Sequence, residues 1–80
     1  MDFYSLAQKV QSLRKEQNIT QAQMAEHLKI SRSTLSAFET GRATDIGLKK
    51  VLAMLDYLGY ELSLREQSPF PTFEELLDAQ

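Results

Sequence analysis

Eighty residues make one domain, and a chain this short buries only about 60% of its unfolded surface, so a partner subunit would add stability. Its hydrophobic fraction of 42% and charged fraction of 25% fit a folded globular domain and exclude a mostly disordered one. The absence of cysteine excludes disulfides and thiolate metal sites and leaves His27 as the only imidazole, so neither a structural metal nor a cofactor is expected. The net charge of −2 conceals an asymmetry: residues 1–50 carry eight basic and five acidic residues, a net +3, and residues 51–80 carry one basic and six acidic, a net −5. One chain thus has the composition for a basic face toward nucleic acid and an acidic face turned elsewhere. No apolar run approaches the roughly 18 residues of a membrane span. The opening Met1-Asp2-Phe3-Tyr4-Ser5 has neither a basic start nor an apolar stretch, so no secretory signal and a cytoplasmic location are expected.

From Asp2 to Gln17, Phe3, Leu6, Val10 and Leu13 recur at helical spacing among polar residues and predict the first helix. Thr20-Gln21-Ala22-Gln23 has the capping-box pattern and opens the second, with Met24, Ala25 and Leu28 on its buried side. Ser31 is the natural N-cap of a third helix that runs to about Thr40, with Leu35 and Phe38 facing inward and Gly41 ending it. A fourth is expected to begin near Thr44-Asp45 and to bury Leu48, Val51, Leu52, Leu55 and Leu58, with Gly59 just past its end. Tyr60, Leu62 and Leu64 then alternate with Glu61, Ser63 and Arg65, the period of a half-buried strand. A lone strand leaves its backbone unpaired, and the same strand of a second copy is the simplest partner, which predicts a two-stranded ribbon across a twofold axis. After a Ser68-Pro69-Phe70-Pro71 linker, a second capping box at Thr72-Phe73-Glu74-Glu75 predicts a short helix. Phe70, Phe73, Leu76 and Leu77 would be costly to leave in water, which suggests a protein-binding tail whose partner groove is apolar with a basic rim.

The unit Gln21 to Thr40 carries the function. Two short helices joined by a tight turn present the second as a rod that fits the DNA major groove, and Met24, Ala25, Leu28, Ile30, Leu35 and Phe38 fall where the two must touch. The segment resembles the phage repressor and Cro family of helix-turn-helix proteins over roughly residues 3–58, most closely from Thr20-Gln21 to Glu39-Thr40-Gly41-Arg42. The resemblance implies that Gln21 binds phosphate at a helix start and that Ser31, Arg32, Ser33 and Ser36 face the bases. Arg32 is the strongest reader, because a guanidinium grips guanine O6 and N7 bidentately. It implies phosphate contacts for Thr34, Thr40 and Arg42, and a partly buried salt bridge between Arg14 and Glu39. Lys29 departs from the family, which commonly has glycine there, and is expected to cost roughly 1 kcal/mol in a left-handed turn.

The expected fold is therefore all-α, a lambda-repressor-like helix-turn-helix bundle of four to five helices with one C-terminal β-strand pairing across a homodimer. Residues 1–67 would form the DNA-binding domain with its dimerisation strand at 60–66, residues Tyr60, Leu62 and Leu64 making the contact, and 68–80 the acidic hydrophobic tail. A helix-turn-helix followed by such a strand and tail, with Asp45-Ile46-Gly47-Leu48 before the fourth helix, is similar to the HipB-type antitoxins. That implies a repressor of its own operon that binds an inverted-repeat operator and engages a HipA-like kinase toxin. The alternatives are a stand-alone phage-type regulator and an interaction adaptor that does not bind DNA. His27 is expected to be solvated, as are Glu74, Glu75 and Asp78, and no arrangement for nucleophilic catalysis points to an enzyme.

Overall fold

A computed structural model describes residues 2–43 and 46–67. Among the described residues four helices follow one another: α1 (Phe3–Glu16), α2 (Gln21–Leu28), α3 (Arg32–Glu39) and α4 (Leu48–Tyr57). Each start has a stated cause except the last. The Asp2 carboxylate accepts the Ser5 amide at 2.7 Å to cap α1. Thr20 and Gln23 exchange both bonds of the capping box on α2, at 3.0 and 2.9 Å. Ser31 accepts the Thr34 amide at 3.0 Å to cap α3, whereas Gly47, before α4, supplies no side-chain cap.

The helix ends are equally explicit. Beyond α3, Gly41 sits at φ +75° while the Arg42 amide reaches back to the Ala37 carbonyl at 2.8 Å and the Gly41 amide to Phe38 at 3.0 Å, the reciprocal pairing that satisfies terminal carbonyls. Past α4, Gly59 repeats the arrangement, with Tyr60 on Leu55 at 2.8 Å and Gly59 on Asp56 at 3.0 Å. Gln17 fastens the two ends of the domain together: its side-chain amide donates to the Leu58 carbonyl at 2.7 Å.

α2 packs on α3, α1 on α3, and α2 on α4, around a core of Ala7, Val10, Leu13, Met24, Ala25, Leu35, Phe38, Ile46, Val51, Met54, Leu55 and Leu58. Two sequence expectations change here. On α1 the buried stripe is Ala7, Val10 and Leu13; Leu6 is half-buried and Phe3 is 40% exposed, its ring set edge-on to Phe38 at 5.6 Å. On α4 the helix starts at Leu48, later than Thr44-Asp45, which themselves lie outside the described residues. Its inward face is Val51, Met54, Leu55 and Leu58, while Leu48 is 64% exposed and Leu52 41%. Both choices of stripe satisfy helical spacing, and the packing of the helices around one core selects between them.

Residues 60–67 form no helix and pair with no other strand among the described residues, so the strand expected at 60–66 is not formed within the single chain. A ladder needs a second backbone, and the described residues offer none. Leu64 is almost fully exposed, and Tyr60 and Leu62 are about half exposed. The short helix expected near Thr72, with Phe70, Phe73, Leu76 and Leu77, lies outside the described residues, as do Glu74, Glu75 and Asp78.

Candidate nucleic-acid interface

The recognition candidate, α3, has one face in the core and one in solvent. Leu35 and Phe38 are fully buried and Glu39 nearly so, while Ser31, Arg32 and Ser33 are exposed and Thr34 and Ser36 half-buried. The rod is therefore fixed along its apolar side and free along its hydrophilic edge. Between α2 and α3 the chain turns at Lys29, which holds φ 58°, ψ 41°. The left-handed turn keeps its geometry with lysine in place of glycine, and the Ile30 amide closes it on the Ala25 carbonyl at 3.0 Å.

Beneath α3 lies a buried ion pair. Arg14 Nε donates to Glu39 Oε2 at 2.6 Å and its Nη2 to Oε1 at 2.9 Å, a bidentate fork, and Nη1 donates to the Ile19 carbonyl at 2.8 Å. Burying a charge is tolerated when each of its hydrogen-bonding groups has a partner, and no buried side-chain polar atom among the described residues lacks one. The pair ties α1 to the end of α3 and, through Ile19, to the turn before α2.

Gln21 extends this network outward. Its Nε2 donates to Glu39 Oε1 at 3.0 Å, and its Oε1 accepts a long bond from Arg32 Nε at 3.5 Å. A primary amide has two N–H groups, so one remains for a phosphate oxygen at the start of α2. Arg32 is exposed and this long bond engages only its Nε, and a guanidinium's two terminal amino groups have the spacing to span guanine O6 and N7. Sequence reasoning placed Gln21 toward phosphate but missed that it links the ion pair to Arg32; no local pattern encodes a bond between residues 18 positions apart.

The hydroxyl side chains are more committed. Ser31 Oγ caps the helix, donates to Thr34 Oγ1 at 2.7 Å and lies 3.1 Å from Ser33 Oγ. Ser31 is thus occupied as a cap, and Ser33 is the freer of the two. At the far end Thr40 Oγ1 donates to the Ser36 carbonyl at 2.9 Å and accepts from Arg42 Nε at 2.9 Å. Both Thr40 and Arg42 are exposed, and only Nε of the Arg42 guanidinium is engaged in that bond.

A helical rod with a dry side, a polar edge and flanking cations is the arrangement that a match to known families then identifies. The helix-turn-helix family model matches residues 10–64, more than half of the chain. The chain belongs to the helix-turn-helix family. Membership makes this helix-turn-helix protein a DNA-binding transcriptional regulator, and the match spans α2, the Lys29 turn and α3 together with the second half of α1 and all of α4. No curated protein matches the chain significantly. No helix among the described residues is long and apolar enough to cross a membrane, and no His/Asp/Glu group among them has the disposition of a metal site.

Two surface features lie away from α3. His27 is exposed, yet its ring stacks on Tyr57 at 4.3 Å and 28°, beside a depression of about 540 Å³ shared with Asn18, Gln23 and Glu26. The polar side of α2 therefore has a packing role that its residue types did not signal. Phe3, Leu6, Ile46, Leu48, Val51 and Leu62 line an apolar groove of about 290 Å³, continuous with the exposed Leu48 and Leu62.

Proposed function

We propose that this helix-turn-helix protein is a sequence-specific repressor that binds an inverted-repeat operator as a homodimer, laying α3 in the major groove of each half-site. The observation that carries the reading is the free hydrophilic edge of α3, exposed at Ser31, Arg32 and Ser33 while Leu35 and Phe38 anchor the opposite side. Arg32 reads a base; Ser33 and Ser36 add weaker contacts along the edge, with Ser31 chiefly capping the helix; and Gln21, Thr34, Thr40 and Arg42 hold the DNA backbone in register. Arg14 and Glu39 fix the angle between the helices and touch no DNA.

Dimerisation is supported by apolar side chains left in water at Leu48, Leu52, Tyr60, Leu62 and Leu64. In the dimer, residues 60–66 of two copies pair as antiparallel strands and the twofold axis sets the two α3 rods about 34 Å apart, one turn of DNA. A soluble antitoxin and autorepressor role, with Phe70, Phe73, Leu76 and Leu77 engaging a HipA-like kinase toxin, rests on the sequence of the tail. The stand-alone regulator lacks that partner and keeps everything else.

Binding to duplexes selected from a random pool tests the reading. Arg32→Ala relaxes preference at one base pair per half-site, and Arg42→Ala weakens all sequences alike. Equal loss on every sequence for both variants removes Arg32 as a reader, and no selected duplex at all removes the repressor. Deleting residues 68–80 leaves DNA binding intact and abolishes copurification of the toxin from its own host; loss of DNA binding instead makes the tail part of the dimer.

A further inference from the structure

We infer that Tyr4, on the first turn of α1, is an additional contact to the DNA backbone, extending the phosphate-binding rail beyond Thr40 and Arg42; this rests on the DNA-binding reading above. Gly41 has φ +75°, and a Cβ placed there would lie 2.5 Å from Tyr4 Cδ2 and 2.9 Å from Cε2. The phenol ring therefore occupies the space that a side chain at position 41 would take, and it lies against the backbone between Thr40 and Arg42. Tyr4 is 53% exposed, and the Gly41 backbone on which its ring lies is flanked in sequence by Thr40 and Arg42, both exposed.

The polarity of the hydroxyl decides what it can bind. Its oxygen accepts from Gln8 Nε2 at 3.1 Å, and among the described residues nothing accepts its proton. A phenol whose oxygen accepts within the protein and whose proton has no protein acceptor keeps that proton for solvent, and can exchange the water for an anionic oxygen brought alongside. The neighbouring Arg42 draws such an oxygen to this edge, and a phosphodiester on the strand flanking α3 supplies it. Gly41 then has a functional reason: without a side chain there, α1 approaches closely enough to present Tyr4 at the end of the recognition helix.

Tyr4→Phe removes the hydroxyl and keeps the ring that packs on Gly41. Measured on the selected duplexes, it lowers affinity by about tenfold per bound protomer, the scale of one hydrogen bond to a charged acceptor. Its thermal midpoint, its sequence preference and its slope against salt stay those of the wild type, because a neutral donor releases no counterion. Arg42→Ala, by contrast, flattens the slope by about 0.9 per protomer. Gln8→Ala, which frees the phenol oxygen but keeps its proton, loses much less than Tyr4→Phe. Tyr4→Phe binding as tightly as wild type while Arg42→Ala weakens overturns this contact and leaves the repressor standing. Wild type binding no duplex overturns the repressor and this contact with it.

Discussion

Replacing Glu39 with alanine tests whether the buried pair organises the domain. In the wild type, Arg14 is 6% exposed and makes two bonds to Glu39, at 2.6 and 2.9 Å, and one to Ile19. Glu39→Ala leaves Nε and Nη2 without acceptors in the interior and releases the Gln21 amide from its 3.0 Å bond. Removing one partner of a buried pair costs about 3–5 kcal/mol. At 0.05–0.15 kcal/mol per residue, a domain of this length holds about 4–12 kcal/mol. With a urea dependence of about 1 kcal/mol per molar, the midpoint falls by about 3 M or more, which unfolds the variant in water if the domain lies at the lower end of that range. Urea denaturation followed by far-UV circular dichroism measures this. Arg14→Met with Glu39→Leu removes both charges and fills the space with apolar atoms, and it returns stability to within about 1 kcal/mol of wild type. Glu39→Ala lying within about 1 kcal/mol of wild type, or the double variant no more stable than the single, refutes the reasoning that an unpaired guanidinium is what costs.

Lys29→Gly relieves a lysine held at φ 58° and raises stability by about 1 kcal/mol in the same urea assay. Gly41→Ala acts oppositely: strain at φ +75° costs about 1 kcal/mol or more, and the new methyl displaces the Tyr4 ring, so the thermal midpoint drops. Asp2 contributes to the acid limb: its carboxyl is held below its ordinary value of 3.8 by accepting the Ser5 amide and, next, by the Ser5 side-chain bond. A depressed carboxyl pKa stabilises fully above its unfolded value and loses that contribution as pH falls through the folded one. Urea midpoints of wild type and Asp2→Ala therefore differ at neutral pH and converge in acid, below 3.8.

What was legible in the sequence was local. Thr20-Gln23 and Ser31 wrote the starts of α2 and α3, because a cap is satisfied by side chains within three residues. Gly41 and Gly59 wrote two helix ends for the same reason. The α4 stripe was misjudged at Leu48 and Leu52, since leucine at four-residue spacing fits a helix face whether it meets the core or water. The links from Glu39 to Gln21 and from Gln17 to the Leu58 carbonyl span 18 and 41 positions, and nothing in the intervening residues announces them.

By itself the sequence determined the four helices seen among the described residues, where two of them are capped, and that one carries apolar residues on one side and hydroxyls and an arginine on the other. Only the tertiary structure decided which α4 face is inside, that Gln21 bridges the ion pair to Arg32, and that Tyr4 lies over Gly41. Backbone propensity and capping act over one helical turn, whereas burial is settled by which surfaces of distant segments meet, and that depends on all four helices together.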